Sequence, residues 1–177
     1  MRLLAISGSL RAASTNSAAL DALKRLAPAE VEIVMYRDLG ALPHFNPDDD
    51  EEAPPPAAAA LRALVGSSAG LIIGAPEYAH GVAGAFKNAL DWLVASDVFP
   101  GKPVMLLNTA PRAFHAQSAL RETLATMSAR LIPEAFVALP LTGKTVDANA
   151  ILAEARFAAA LREALDNFVT ALRGDGG

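Results

Sequence analysis

Short apolar runs alternate with amphipathic segments along the whole chain. Residues 3–6 and 70–75 are continuous apolar runs that end in turn residues, which is typical of strands buried on both faces of a sheet. Between such runs, leucines recur at helical spacing, as at Leu20, Leu23 and Leu26. The pattern predicts strands over residues 3–6, 31–35, 70–75, 103–107 and 135–139 and helices over residues 16–26, 57–66, 85–95, 114–129 and 151–172.

The strict alternation of strand and helix predicts the fold class. Five β–α units favour a parallel sheet with helices on both faces, because each parallel connection needs a crossover. We expect an α/β, flavodoxin-like, doubly wound five-stranded parallel sheet with strand order 2-1-3-4-5. Residues 1–177 are expected to form one domain with a frayed tail at 173–177, and the polar segment 36–56 a solvated surface loop.

Composition and charge narrow the range of partners. The 177 residues carry a formal net charge of −4 and no cysteine. Mild acidity does not fit broad nucleic-acid or anionic-membrane binding, and the lack of cysteine excludes disulfides, Cys-ligated zinc and thiol nucleophiles. No apolar run approaches the roughly 20 residues of a membrane span, and the first is too short for a signal peptide. We therefore expect a cytoplasmic protein that binds neither nucleic acid nor membranes.

The loop after the first predicted strand carries the strongest chemical signal. Ligands of doubly wound sheets bind beyond the carboxyl ends of the strands, which selects loops 7–16, 75–84 and 108–114. The first of these reads S-G-S-L-R-A-A-S-T-N and leads into a helix, whose N-terminus favours an anion. It lacks both G-x-G-x-x-G and the P-loop lysine, so a monophosphate fits better than a pyrophosphate or a nucleoside triphosphate. The alternative is that these residues are only helix caps and turn residues, with Ser14 or Thr15 as the cap.

The second loop contains candidates for contact with a planar group. Pro76 stiffens it, its glycines allow the backbone to approach a ligand closely, and Tyr78 offers a ring. His80 is interpreted as a solvated loop histidine. No second histidine or carboxylate stands at metal-ligand spacing, so no metal site is predicted.

Four motifs together resemble the NADPH-dependent FMN reductase family. They are G-S-L-R-x-x-S-x-N at residues 8–16, L-P-x-F-N-x-D at 42–48, P-E-Y at 76–78 and K-N-A-L-D-W at 87–92. Their order and spacing agree as well, and the resemblance covers roughly residues 1–170. The family usually has an asparagine and a proline where this chain has Ala79 and Ala83, and a serine- and glycine-rich stretch in place of the glycine-free loop 108–114.

The resemblance implies a flavin site that is built by three loops, with FMN as the cofactor and NADPH or NADH as the hydride donor. The residues expected to hold the FMN phosphate are Ser9, Arg11, Ser14, Asn16 and Ser17, those expected to line its ring are Pro76, Glu77 and Tyr78, and Thr109 and Arg112 are further side-chain donors. No protein residue is expected to be catalytic, because the flavin carries the chemistry. Lys87, Asn88 and Asp91 are expected to be architectural, and Trp92 to pack at a subunit contact.

The function implied by this resemblance is that of an NAD(P)H-dependent FMN reductase or quinone-reductase-like oxidoreductase. Such an enzyme passes two electrons to a small acceptor (a quinone, a flavin or an azo compound) in a ping-pong cycle, and family members commonly form homodimers or homotetramers. Three alternatives stay open. They are a flavodoxin-like FMN-binding electron carrier, a family member that has lost flavin binding, and another nucleotide-binding protein of this fold.

Overall fold

The computed structural model describes residues 1–112, 114–141 and 146–174. Its strands are β1 (Arg2–Ser7), β2 (Glu32–Tyr36), β3 (Gly70–Gly74), β4 (Glu77–Tyr78), β5 (Gly81–Val82), β6 (Pro103–Asn108), β7 (Arg130–Leu131) and β8 (Val137–Ala138). Its helices are α1 (Thr15–Leu26), α2 (Pro56–Gly66), α3 (Gly84–Val94), α4 (Phe114–Thr126), α5 (Ala148–Ala153) and α6 (Ala155–Gly174). Within these ranges, no helix combines the length and the apolar character needed to cross a membrane.

The main sheet is parallel and has β1 near its centre. Its order is β2-β1-β3-β6-β7, and β8 also pairs with β6. In β1, Ala5 lies beside Met35 of β2 and Ile72 of β3. Because β7 and β8 together fill the place of one fifth strand, the order corresponds to the predicted 2-1-3-4-5.

The alternating side chains of the strands separate two hydrophobic cores, one on each face of the sheet. Leu3 and Ala5 of β1 belong to the core that α1, α5 and α6 cover. Leu4 and Ile6 belong to the core that α2, α3 and α4 cover. The predicted arrangement with helices on both faces is therefore confirmed.

The C-terminal third departs most from the predicted elements. The predicted strand 135–139 is observed as the shorter β8, because residues 133–135 form a 3-10 turn that begins at Pro133. The strand β7, which precedes this turn, was not predicted. The predicted helix 151–172 begins earlier and is broken, since Glu154 has an extended backbone between α5 and α6. Residues 173–174, predicted as frayed, are the end of α6, and residues 175–177 lie outside the described residues.

Two shorter segments also differ from expectation. The predicted helix 114–129 ends at residue 126, because Ser128 takes a left-handed backbone with a φ of 61°. The predicted loop 76–84 contains a hairpin of β4 and β5. Its turn residues, Ala79 and His80, have φ values of 50° and 61°.

Segment 36–56 is not simply a solvated loop. The Arg62 guanidinium donates two hydrogen bonds, of 2.8 and 2.7 Å, to the carboxylate of Asp50, and it also donates to the Trp92 carbonyl. This contact holds the pKa of Asp50 below its usual value. The acidic run therefore anchors the segment to α2 and α3, where we had expected only a solvated surface.

The helix motif at 87–92 holds the loop motif at 42–48 in place. Asn88 donates to the Pro43 carbonyl and accepts the Phe45 N–H, both at 2.8 Å. Trp92 is fully buried, donates its indole N–H to the same Pro43 carbonyl at 2.8 Å, and packs edge-on against the Phe45 ring. The expected subunit contact of Trp92 is therefore wrong, because a fully buried side chain cannot reach a partner. The architectural role of Asn88 is confirmed.

Candidate functional site

The loop that follows β1 leaves the sheet through a tightly packed glycine, Gly8. The Gly8 N–H donates to the Gly74 carbonyl at 2.8 Å. A Cβ atom at Gly8 would lie 3.1 Å from the Phe86 ring and 3.2 Å from the Ala75 backbone, closer than most real contacts. The loop is therefore pressed onto the end of β3, which fixes the position of the residues after it.

Serine hydroxyls stabilise the loop and the start of α1. Ser14 is the N-cap, as predicted, and its Oγ accepts the Ser17 N–H at 3.3 Å. The Ser17 Oγ donates to the Ser7 Oγ at 2.9 Å, and the Ser9 Oγ accepts the Arg11 N–H at 3.3 Å. These bonds close the loop around the N-terminus of α1.

The electrostatics of this loop suit a phosphate. The first turn of α1 contains no acidic residue, and its leading N–H groups have no carbonyl partner within the helix. Arg11 is exposed, and in the part of the chain that the structure describes no carboxylate pairs with its guanidinium. A free guanidinium, several hydroxyls and a helix N-terminus are the donors that a phosphate monoester requires, so the residues present fit the FMN phosphate.

Asn16 and Thr109 join two loops of the site below its surface. Both are buried. The Thr109 hydroxyl donates to the Asn16 Oδ1 at 3.1 Å and lies 3.0 Å from the Thr15 hydroxyl. These bonds tie the start of α1 to the loop after β6, and direct flavin contact of Asn16 and Thr109 stays a prediction.

The predicted ring-binding residues lie at the base and on the first strand of the hairpin. Pro76 is half-buried, and Tyr78 is 56% exposed. The Glu77 carboxylate accepts the Ala116 N–H at 2.8 Å and so caps the N-terminus of α4 from the neighbouring loop. The hairpin is therefore fixed to α4, with the Tyr78 ring facing outward.

The sequence suggested that His80 is a solvated loop histidine, but its side chain contacts a second histidine. Its ring stacks on that of His115 with a centroid distance of 4.1 Å, and Phe114 contacts the other ring of the pair at 4.0 Å. No sequence signal could have joined His80 in the hairpin turn to His115 on α4, 35 positions later. Arg112 is exposed near this cluster, and residue 113 of loop 108–114 lies outside the described residues.

A groove of about 700 Å³ opens at the phosphate loop and follows α1 as far as Arg25. Of the predicted site residues, those that line it are Ser9, Arg11, Ser14 and Ser17. Sequence reasoning missed the other polar positions along it, which include Asp21, Arg25, Tyr36 and Arg37. No motif marked these positions, because they lie along α1 and at or just after the end of β2. Neither the hairpin residues nor Thr109 and Arg112 line this groove.

Tyr36 at the wall of the groove has an unusual environment. The side chain is 6% exposed, and its hydroxyl has no hydrogen-bond partner among the described residues. Burial, together with the negative charge of Asp38, raises the pKa of Tyr36 to about 12. Buried hydroxyls usually find a partner, so this one needs an explanation.

Comparison with known proteins identifies the family. The model of the NADPH-dependent FMN reductase family matches residues 1–143. An NAD(P)H-dependent FMN reductase from Pseudomonas aeruginosa is 31% identical over 98% of both chains, and a quinone reductase from Escherichia coli is 28% identical over 83% of this chain and 86% of that one. The solved structure of a flavoenzyme NAD(P)H:(acceptor) oxidoreductase from Paracoccus denitrificans superposes with a TM-score of 0.79 at 26% identity, covering 98% of this chain and 97% of the other. With its flavodoxin-like fold and its serine-rich phosphate loop, the chain belongs to the NADPH-dependent FMN reductase family.

Proposed function

We propose that this FMN-dependent NAD(P)H oxidoreductase passes two electrons to a small aromatic acceptor of the quinone class in a ping-pong cycle. The observation that carries the proposal is the phosphate loop: Arg11 has no ion partner in the described part of the chain, and it lies beside an acid-free helix N-terminus. When FMN is bound, it supplies the redox chemistry, and the protein supplies binding and orientation.

The chain's own residues hold and orient that cofactor. Arg11 and the hydroxyl of Ser9 bind the phosphate, while Ser14 and Ser17 keep the start of α1 in the binding geometry. Glu77 fixes the hairpin to α4, so that the residues at 76–78 present a rigid edge to the ring. Arg112, an exposed cation in the loop after β6, stabilises negative charge on the ring.

The surroundings of the hairpin support a planar acceptor. Tyr78 and Phe114 are 56% and 61% exposed, and the His115 ring contacts both Phe114 and His80. Exposed rings at an open edge bind flat aromatic molecules by stacking. The similarity to a protein named quinone reductase points to the same acceptor class.

We further propose that the chain is one domain, that it acts in the cytoplasm, and that it forms a homodimer or homotetramer. Support for assembly comes from apolar side chains that stay exposed near the site, among them Leu10 and Phe114, each 61% exposed. Light scattering of the purified protein measures the mass directly, and a monomer at micromolar concentration would contradict the proposed assembly.

The test is Arg11→Ala with Arg162→Ala as its matched control. Arg162 is exposed on α6, and no residue of α6 lines the groove at the phosphate loop. We expect the affinity for FMN to fall at least tenfold in the first variant and to stay unchanged in the second, since a charge-assisted phosphate contact is lost only in the first. Titration of the flavin-free protein followed by flavin fluorescence gives both values. An unchanged affinity in Arg11→Ala would overturn the phosphate assignment.

The kinetic part of the proposal has its own measurement. Initial rates of NADPH oxidation at several fixed concentrations of a naphthoquinone should give parallel double-reciprocal lines, as a ping-pong cycle requires. Intersecting lines would contradict the cycle. A protein that binds FMN but oxidises no NADPH would instead be an electron carrier.

A further inference from the structure

Two histidines from different elements stack next to the edge at which the proposed function places the flavin ring. His80 lies in the turn of the β4–β5 hairpin, and His115 lies in the first turn of α4. Their rings are nearly parallel, with an interplanar angle of 25° and a centroid distance of 4.1 Å, and both side chains are exposed. The pair therefore adjoins residues 76–78 without being among the residues expected to contact the flavin.

The backbone at His80 is unfavourable for any residue except glycine. The hairpin turn consists of Ala79 and His80, whose φ values of 50° and 61° lie in the left-handed region. A Cβ atom disfavours that region, and two-residue turns of this kind prefer asparagine followed by glycine. Residues held in such strained conformations cluster at functional sites, which makes the His80 side chain a candidate for one.

The chemistry of the two imidazoles suits a planar anion. Each imidazole carries at least one N–H donor in every protonation state. Phe114 is 61% exposed, and its ring centroid lies 4.0 Å from that of His115, so three neighbouring rings are open to solvent. A flat molecule beside these rings meets an apolar face for its own ring and N–H donors for a charged group.

The charged groups around the pair favour an anion over a cation. Arg112 is exposed in the loop that leads into α4, and within the described ranges of the chain no carboxylate pairs with it. The Glu77 carboxylate already accepts the Ala116 N–H at 2.8 Å. The first turn of α4 contains no acidic residue, and the first acid along the helix, Glu122, is seven positions beyond His115, or about 10 Å.

We propose that His80 and His115 recognise acceptors that are both planar and anionic, such as quinones with a sulfonate, a carboxylate or an ionised hydroxyl group. The inference rests on the proposed function, which places the flavin ring at residues 76–78 and the acceptor beside it. The acceptor's ring packs on Phe114, and its charged group accepts N–H bonds from the imidazoles. The two histidines determine specificity by binding the acceptor and take no part in electron transfer.

Two matched probes test the proposal: anthraquinone-2-sulfonate, whose charge is fixed, and neutral 2-(hydroxymethyl)anthraquinone. In calorimetric titration of the FMN-loaded protein, we expect the sulfonate to bind about tenfold more tightly, because hydrogen bonds to a charged group are the stronger ones. His80→Gly and His115→Ala should each remove most of this preference. His44→Ala, which removes an exposed histidine from the motif at residues 42–48, is the control that should leave the preference unchanged.

The variant His80→Gly also separates binding from folding. Glycine adopts the left-handed backbone without strain, so we expect the melting temperature to stay equal or to rise while the affinity for the sulfonate falls. In NMR spectra of the flavin-free protein, the imidazole C–H signals of His80 and His115 should shift when the sulfonate is added. The signal of His44, the third histidine of the chain, should stay in place.

Several results would overturn the proposal. These are equal affinities for the two probes, or a preference for the sulfonate that His80→Gly leaves unchanged. A protein that binds no FMN fails the proposed function first, and the NMR titration of the flavin-free chain then decides on the anion site alone. Shifts confined to His80 and His115 would support the site, and unchanged signals would refute it.

Discussion

The unpaired hydroxyl of Tyr36 makes a quantitative prediction about stability in alkaline solution. Its pKa is raised to about 12 by burial, whereas an exposed tyrosine in the unfolded chain titrates near 10. The folded protein therefore keeps the proton between pH 10 and 12, while the unfolded chain releases it. The free energy of unfolding therefore falls by roughly 2–3 kcal/mol at most between pH 10 and 12. Below pH 10 this contribution to stability is fully present.

The substitution Tyr36→Phe should remove this alkaline loss and raise stability at neutral pH. A buried hydroxyl without a partner costs roughly 1–3 kcal/mol, so we expect a gain of about 1 kcal/mol at pH 8. Urea unfolding of the wild type and the variant at pH 8 to 12 measures both effects. The lysines titrate in the same range in both proteins, so the difference between the two stability curves removes their contribution. The chain has only two tyrosines, and Tyr78→Phe is the exposed control.

Two results would refute this reasoning. One is a loss of stability at pH 8 in Tyr36→Phe, which would show that the hydroxyl has a partner in solution. The other is an alkaline slope that the variant shares with the wild type, which would place the titration elsewhere.

Three further predictions concern the frame of the site. Ala79→Asn should stabilise the protein by about 0.5–1 kcal/mol in thermal unfolding, because Ala79 has a φ of 50° in a two-residue hairpin turn that favours asparagine. A drop in melting temperature would contradict this. Gly8→Ala should cost roughly 1–3 kcal/mol and weaken FMN binding, since its Cβ would press on Phe86 at 3.1 Å, whereas Gly84→Ala, with no atom within 4 Å of its Cβ, should be tolerated. Asp50→Asn should melt at a lower temperature than the wild type at pH 7 and at nearly the same temperature at pH 2. The lowered pKa of Asp50 shows that its ionised form is stabilised by Arg62, and this stabilisation is lost when acid protonates the carboxylate. An equal loss at both pH values would assign the effect to packing.

The fold could be predicted from the sequence where local pattern and tertiary role agree. Residues 3–6 and 70–75 are apolar without interruption because both faces of β1 and β3 are covered, and this made them visible. The fifth strand was predicted too long and β7 was missed, because the pairing with β6 is split into two short pieces around a turn that begins at Pro133. Its apolar residues pack as predicted, but the backbone pairing that defines a strand cannot be inferred from hydrophobicity.

The candidate site was predictable only as far as its residues follow the ends of strands. The loop after β1 was found from its position and its donors, and the structure shows four of its five predicted residues on the groove. The fifth, Asn16, is buried and does not line the groove, and its side chain accepts a hydrogen bond from Thr109. Tyr36 and Arg25 were missed because a tyrosine at the end of a strand and an arginine on a helix carry no signal until the groove brings them together.

The motif at residues 42–48 and the motif at residues 87–92 contact each other. This contact explains why both occur together with the phosphate loop in the family pattern. Asn88 and Trp92 bind the backbone of residues 43–45 from α3, and α3 begins directly after the hairpin. These contacts fix the position of α3, and because α3 follows the hairpin directly, they also restrict movement of residues 76–78. The hairpin's other constraint is the hydrogen bond between Glu77 and α4. Two anchors on one short hairpin suit the proposed role of residues 76–78, since catalysis by a planar cofactor depends on its orientation.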